Sequence, residues 1–277
     1  MNGQVRPLAP EEHQLLNEVI SDRLGISFPE EKRELLEGKL LPRLKALRLT
    51  RFLDYYLTLQ YDLDSELEQL ARQVTNNETY FFREVYHFDA LFESGLDKLG
   101  AADLGRPLRV LCAGCSSGEE PFTLSILARE QTRSGLFQSL EIDAFDIDRE
   151  QLRRAREAAY GPNSLRAASE AQIRSYFGRS GAELYELHSR FREPVSFSCG
   201  NILDASTYPL RGPYDIIFCR NVLIYFSEEA IHRTLENFAQ SLRPGGVLFL
   251  GHSESIIGVS PRFEAIRLSR CIAYHRV

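Results

Sequence analysis

Leu108-Arg-Val-Leu-Cys-Ala-Gly-Cys-Ser-Ser-Gly-Glu-Glu-Pro121 reads as a buried strand running into a glycine turn, with a helix opening at about Glu119. Gly114 and Gly118 let the backbone turn sharply and approach a ligand closely. The spacing is like that of a dinucleotide-binding loop, except that Ser116 stands at the middle glycine. Glu119 and Glu120 occupy the helix start, where a bound pyrophosphate would be repelled. An acidic helix start favours a ligand with a cationic portion over a phosphate.

The segments that follow repeat this strand–helix grammar. Strand-type runs fall at Ile142–Phe145, Val195–Ser198, Tyr214–Cys219 and Val247–Leu250, with helical patterns at 119–133, 149–159 and 228–242. Such alternation predicts an α/β domain built on a mainly parallel sheet. The tail 263–277 alternates apolar residues and predicts a terminal strand pair. Between Ser169 and Pro194 the alternation breaks at turn-like Tyr176-Phe-Gly178 and Ser180-Gly181, which predicts a small β insertion.

Upstream the pattern is helical. Leu15, Leu16, Val19 and Ile20, then Leu35, Leu36, Leu40, Leu44 and Leu47, recur at helical spacing, with Gly25 and Pro29 between the two groups. Pro42 is expected to kink or divide the second helix. Further helices are predicted at 51–61, 65–74 and 81–98, followed by a linker at 100–107. The domain reading is a helical N-terminal domain over residues 1–98 and a sheet domain over 99–277, with the insertion at about 169–194.

Composition narrows the function classes. A chain of 277 residues, 43% apolar, can bury one sizeable core with a small extra domain. No run approaches the roughly 18 apolar residues of a membrane helix, so no membrane insertion is expected. The start, MNGQVRPLAPEEH, has no apolar core after a basic beginning and is not read as a secretory signal. Cys112, Cys115, Cys199, Cys219 and Cys271 are odd in number, which argues against a disulfide framework and for a reducing compartment. A net charge of −6 argues against broad attraction to nucleic acid. The expectation is a cytoplasmic monomer.

Three further elements carry chemistry. In Ala144-Phe-Asp-Ile-Asp148, Asp146 closes the second strand, where a carboxylate can accept from ribose hydroxyls, while Asp148 caps the helix from Arg149. In Tyr214-Asp-Ile-Ile-Phe-Cys-Arg-Asn-Val-Leu-Ile-Tyr-Phe226, the strand ends near Cys219 and places Arg220, Asn221 and Tyr225 at the carboxyl edge of the sheet. Val74-Thr-Asn-Asn-Glu-Thr-Tyr-Phe-Phe-Arg-Glu84 mixes aromatics with Asn77, Thr79 and Arg83, and reads equally as a capped helix start with core aromatics. Two rival readings stand beside these. Gly114-Cys-Ser-Ser-Gly118 literally fits a G-x-S-x-G nucleophile elbow, with Ser116 as nucleophile and Asp215 and His252 as partners, though no oxyanion loop precedes it. Cys112 and Cys115 form a C-x-x-C pair without a second pair, so no metal is expected.

Taken in order, Asn77-Glu-Thr-Tyr-Phe-Phe-Arg83, Gly114-Cys-Ser-Ser-Gly-Glu-Glu-Pro121, Asp146-Ile-Asp148, Phe218-Cys-Arg-Asn-Val-Leu-Ile-Tyr-Phe226 and Leu242-Arg-Pro-Gly-Gly246 resemble the CheR family of chemotaxis protein-glutamate O-methyltransferases. The resemblance spans roughly residue 12 to the C-terminus. It implies a class I methyltransferase fold, which is Rossmann-like with a mainly parallel sheet, together with a small helical N-terminal domain and an inserted β subdomain. It implies S-adenosylmethionine as cofactor and S-adenosylhomocysteine as product. Cofactor contacts are implied for Asn77, Thr79, Arg83, Glu119, Asp146, Asn201, Ile202, Arg220 and Asn221, with Arg83 and Tyr225 nearest the transferring methyl.

The implied partner is the cytoplasmic helical bundle of a methyl-accepting chemoreceptor, whose glutamate side chains become methyl esters. Residues 31–51 carry Lys32, Arg33, Lys39, Arg43, Lys45, Arg48 and Arg51 against Glu31, Glu34 and Glu37, and this basic segment is a candidate docking face. In some family members the insertion grips a receptor C-terminal peptide; the compact stretch 178–194 points here to a peptide-independent enzyme. A non-catalytic cofactor sensor, or an enzyme acting on a small carboxylic acid or another protein, are the alternatives. The retained Arg83 and Tyr225 speak against the sensor.

Overall fold

The structure is a computed structural model describing residues 5–95, 106–132, 140–209 and 212–277. The chain divides into two compact units: one runs to Asn76 and takes in Tyr225–Ile231, and the other comprises Asn77–Ile224 and His232–Val277.

The first unit is helical, with α1 (Pro10–Leu24), α2 (Arg33–Ala46), α3 (Phe52–Tyr61) and α4 (Leu63–Val74). Pro10 opens α1 with its φ already set for a helix. The Glu12 carboxylate then accepts from the Ala9 N–H at 3.1 Å and the Leu53 N–H at 3.0 Å, tying the starts of α1 and α3 together. Leu16, Ile20, Leu36, Leu40, Leu44, Phe52, Leu59 and Leu70 form the buried interior. Within it the Arg43 guanidinium grips the Glu66 carboxylate through two bonds of 2.6 and 2.5 Å, and the Tyr55 hydroxyl donates to the same carboxylate at 3.0 Å. Segment 225–231 is held by Ser27 N–H donating to the Tyr225 carbonyl (2.8 Å) and Ser227 N–H donating to the Gly25 carbonyl (2.9 Å). Gly25, at φ 77°, is required there, because a Cβ would press on the Phe226 ring at 3.0 Å.

Pro42 neither divides nor ends its helix: α2 runs through it to Ala46. Pro42 and Gly38, whose carbonyl loses its partner, both lie on the exposed side of the helix near its end, where water can take that carbonyl.

The second unit carries a seven-stranded sheet in the order β6-β2-β1-β7-β8-β10-β9. Its strands are β1 (Leu108–Ala113), β2 (Leu140–Asp146), β6 (Val195–Cys199), β7 (Tyr214–Cys219), β8 (Leu242–Leu250), β9 (Phe263–Arg267) and β10 (Ile272–Arg276). Strands β6, β2, β1, β7 and β8 are parallel, and β10 runs antiparallel to both β8 and β9. The expected parallel sheet and terminal strand pair are both present. Connecting helices α6 (Glu119–Thr132), α7 (Arg149–Glu157) and α10 (Glu228–Ser241) follow β1, β2 and β7. The strand order reverses at β1, between β2 and β7, which opens a crevice at the carboxyl ends of these strands.

The insertion is a three-stranded antiparallel sheet, β3 (Ala159–Tyr160), β5 (Tyr185–Leu187) and β4 (Phe177–Arg179), accompanied by α8 (Glu170–Tyr176) and α9 (Ser189–Arg192). It begins before Ser169, because the short β3 follows directly on the left-handed Ala158 that ends α7.

The single helix expected over 81–98 is replaced by a turn and then a short α5 (Tyr86–Ala90) that passes into a π-helical turn at Leu91–Gly95. The reason is backbone conformation: Phe82 at φ 61° and Glu84 at φ 48° are left-handed, flanking Arg83. The last residues of that expected helix, and most of the expected linker at 100–107, lie outside the described residues.

Candidate active site

The carboxyl end of β1 turns through Gly114 and Ser116, both with positive φ, so that two N–H groups, of Gly114 and Cys115, donate to the Phe145 carbonyl at 2.9 and 3.1 Å. Gly114 is needed because a Cβ would stand 2.8 Å from Val222 Cγ2. Asp146 receives the Ser116 N–H on Oδ2 (2.7 Å) and the Asp148 N–H on Oδ1 (2.9 Å). Burial pushes its carboxyl up to about 6, against the pull of those backbone donors. Each oxygen keeps lone-pair capacity for a further donor, as a ribose diol would supply. Asp148 caps α7 by accepting from Glu150 and Gln151, and also receives the Asn77 side-chain amide at 3.0 Å. Asn77, Ser116, Asp146 and Asp148 are therefore one hydrogen-bonded group.

Glu119 is buried, at 1% exposure, and accepts from the Ser117 hydroxyl at 2.8 Å and from Ser164. Burial raises its pKa and these hydroxyls lower it. No ion pair forms on Glu119 among the described residues, although the charge of Arg166 also acts to lower its pKa. Asn201 and Ile202 follow β6. Gly200 N–H donates to the Asp146 carbonyl at 3.1 Å, and a Cβ on Gly114 would lie 3.6 Å from Ile202 Cδ1, so both residues border the same crevice. The Ile202 carbonyl is taken by the Tyr208 hydroxyl and the Asn237 amide, and the residue is buried.

Arg83 rides on the strained turn. Phe81 N–H donates to the Ser164 carbonyl (2.8 Å) and Phe82 N–H to Thr123 Oγ1 (3.0 Å), while the buried Phe81 ring meets Tyr160 and Phe177 edge-on. The Arg83 guanidinium donates to the Glu78 carbonyl at 2.7 Å. Thr79 is half-buried between Glu78, which pairs with Arg166, and Tyr80, whose ring lies 3.7 Å beneath the Arg166 guanidinium.

Arg220 faces inward. Its Nε donates to Glu120 at 2.9 Å, its two terminal nitrogens donate to the Arg83 carbonyl, and its guanidinium lies over the Phe88 ring. The ion pair is buried, with Arg220 at 2% and Glu120 at 13% side-chain exposure. Burial raises the Glu120 pKa and Arg220 opposes that rise. Beside it, burial and then the Arg220 charge hold His87 down at about 4, so His87 is neutral near pH 7. Asn221, at φ 60°, presents its amide to Glu84 at 3.3 Å and its N–H to Glu254 at 2.8 Å. Tyr225 belongs to the other compact unit, where its hydroxyl accepts from Asn76 at 2.6 Å.

The hydrolase reading is overturned. Asp215 starts β7 and is engaged by Arg106 and Arg243, whereas His252 lies beyond the end of the parallel β8. Acid and histidine thus sit at opposite ends of neighbouring strands. Cys112 and Cys115 are buried free thiols whose pKa values burial raises well above the usual range. Among the described residues, no group of three or more His, Cys, Asp or Glu could hold a metal ion.

Residues 77–272 match the family described as CheR methyltransferase, SAM binding domain, and residues 11–75 match CheR methyltransferase, all-alpha domain. The chain belongs to the CheR methyltransferase family. It is 32% identical over 255 residues to chemotaxis protein methyltransferase 2 of Vibrio cholerae, covering 92% of this chain and 88% of that one. It is 33% identical over 254 residues to the chemotaxis protein methyltransferase of Escherichia coli, covering 90% and 85%. Similarity extends to the probable biofilm formation methyltransferase WspC of Pseudomonas putida, at 33% identity over 258 residues, covering 93% of this chain and 60% of that one. This CheR-family protein is a methyltransferase that uses S-adenosylmethionine, of the chemotaxis protein methyltransferase kind. No helix among its described residues is long and apolar enough to cross a membrane.

Three residues escaped sequence reading, Glu84, Glu254 and Arg166, each acting on a partner distant in sequence. Glu120 was read as part of an acidic helix start, but not as the buried partner of Arg220.

Proposed function

We propose that this chain transfers a methyl group from S-adenosylmethionine to glutamate carboxylates on the cytoplasmic bundle of a chemoreceptor, leaving glutamate methyl esters and S-adenosylhomocysteine. The observation that carries the reading is a pair of buried carboxylates, Asp146 and Glu119, in one crevice: one retains acceptor capacity for a diol, the other forms no ion pair among the described residues. Both fit a nucleoside with a cationic amino-acid tail. Asn77, Asp146, Asn201, Ile202 and Asn221 would hold the nucleoside side, and Glu119 the ammonium. The sulfonium supplies an activated methyl.

A glutamate carboxylate is already a nucleophile at neutral pH, with a reference pKa of about 4.3, so the chain needs no general base. Its task is alignment of the attacking oxygen. Arg83 orients the incoming carboxylate through a charge-assisted hydrogen bond, and Tyr225 is the second residue assigned to the transfer step. Holding that carboxylate too tightly would quench it, so the role is orientation rather than neutralisation.

For docking, the basic segment is narrower than its composition suggests. Arg43 is committed to Glu66, Lys39 donates to the Gln73 and Thr75 carbonyls, Arg33 pairs with Glu30, and Arg51 pairs with Asp54. Lys32, Lys45 and Arg48 are the exposed cations left for an acidic receptor surface. The compact turn between β4 and β5, closed by Ser180 N–H on the Leu184 carbonyl at 2.9 Å, supports a peptide-independent mode.

The test is transfer of labelled methyl from S-adenosylmethionine to a purified receptor cytoplasmic fragment, followed by mild alkali. Volatile labelled methanol, lost when receptor glutamates become alanine, is expected. Label that resists alkali, or that persists without those glutamates, overturns the ester reading.

A further inference from the structure

We propose that Glu254 is a positioning residue for methyl transfer, setting the backbone turn that presents Asn221; the proposal rests on the reading of Asn221 as a cofactor contact. Strands β7 and β8 end side by side, with Cys219 opposite Leu250, and the chain leaves both with N–H groups that no longer have ladder partners. One carboxylate collects four of them. Glu254 Oε2 accepts from Gly251 N–H at 2.6 Å and Asn221 N–H at 2.8 Å. Its Oε1 accepts from Val222 N–H at 2.9 Å and Ile224 N–H at 3.2 Å.

This grip defines the turn. Asn221 sits in the left-handed region at φ 60°, a conformation that a non-glycine residue keeps only when its surroundings hold it there. Glu84 takes the Asn221 side-chain amide from the other side. Gly251 lets the two strand ends close, because a Cβ would lie 2.6 Å from Asn221 Nδ2. The next residue, Val222, packs against Gly114.

Glu254→Gln is the discriminating change. It keeps the shape, yet turns one acceptor oxygen into an amide donor facing two N–H donors. The measurement is S-adenosylhomocysteine binding by titration calorimetry to wild type, Glu254→Gln, Asn221→Ala and the double variant, with amide exchange of the peptide covering 221–224 and thermal unfolding of each. Glu254→Gln is expected to weaken binding about tenfold in the wild-type background. In the Asn221→Ala background the further loss should be at most about twofold, since the two act through one contact. Amide exchange across 221–224 should quicken. Gly251→Ala, which would press on both Asn221 and the Glu254 carboxylate, should weaken binding in the same direction and serves if Glu254→Gln fails to fold. Equal weakening in both backgrounds, or unchanged affinity despite faster exchange, overturns the proposal. Wild-type affinity in Asn221→Ala alone refutes the Asn221 reading by itself, and the proposal falls with it.

Discussion

Arg220 donates to the backbone carbonyl of Arg83 through both terminal nitrogens, at 3.1 and 2.8 Å, while its Nε is bound to Glu120. A cation read in the sequence as a ligand contact is thereby engaged in holding the turn that carries another cation. Glu120 belongs to the helix that follows the glycine loop, so the buried pair couples that loop to the Arg83 turn.

Arg220→Ala would leave Glu120 buried and unpaired, and is expected to lower unfolding free energy by about 3–5 kcal/mol. Arg220→Lys keeps the charge but loses the planar fork that reaches the Arg83 carbonyl twice. Misplacing Arg83 by about 1 Å should cut methyl transfer about a hundredfold. Urea unfolding and initial rates on the receptor fragment check both.

Arg83→Ala should remove most turnover while Phe81 and Phe82 keep the turn folded. Arg83→Lys should recover little, because a point charge cannot replace the guanidinium geometry. Rates at saturating cofactor decide this, and undiminished methylation by Arg83→Ala removes Arg83 from the mechanism.

Asp146 gives a pH signature. Its pKa in the folded chain, about 6, lies above the ordinary 3.8, so the folded state holds the extra proton between those values. Its contribution to stability is full below the ordinary value and is lost as pH rises through about 6. Ligand hydroxyls favour the ionised form, so S-adenosylhomocysteine affinity should fall about tenfold per pH unit below about 6. Asp148, whose charge helps raise the Asp146 pKa, must be kept intact. Calorimetry from pH 5 to 8 on wild type and Asp146→Asn tests it: the variant should bind weakly with a flat profile, and should gain thermal stability relative to wild type on the alkaline side.

In the helical unit, Glu66→Ala would leave Arg43 without its carboxylate and orphan the Tyr55 hydroxyl, whose pKa burial already raises. A loss of about 3 kcal/mol is expected. Chemical denaturation measures it.

Charge reversal at Lys45 and Arg48 should weaken receptor methylation most at low salt, with the difference from wild type closing as ionic strength rises. Unfolding should be unaffected, since both side chains are exposed. Salt-independent rates in wild type would remove electrostatic docking.

The order of strands and helices was legible because hydrophobic periodicity is local: β1, β7 and the helix from Glu119 lie where their apolar runs place them. The glycine loop, Asp146 and the capping Asp148 were legible for the same reason, being neighbours in a strand–turn–helix unit. Residues 81–85 were misread as helix because the aromatics that suit a helix face instead pack on Tyr160 and Phe177, and that packing holds Phe82 and Glu84 left-handed. The basic segment was read as a candidate docking face from its charge balance, yet Glu66 and the carbonyls at the end of α4 claim two of its cations.

The sequence by itself determined an α/β sheet domain with a helical N-terminal region and a small β insertion, the family of the chain, and the residues at the carboxyl ends of β1, β2 and β7. Only the tertiary structure decided which of the charged groups hold one another in place. Glu120 with Arg220, Glu84 with Asn221, and Glu254 with Asn221, Val222 and Ile224 pair across long stretches of chain. Burying a charge is favourable only where partners converge on it, and that convergence is a property of packed strand ends, not of local spacing.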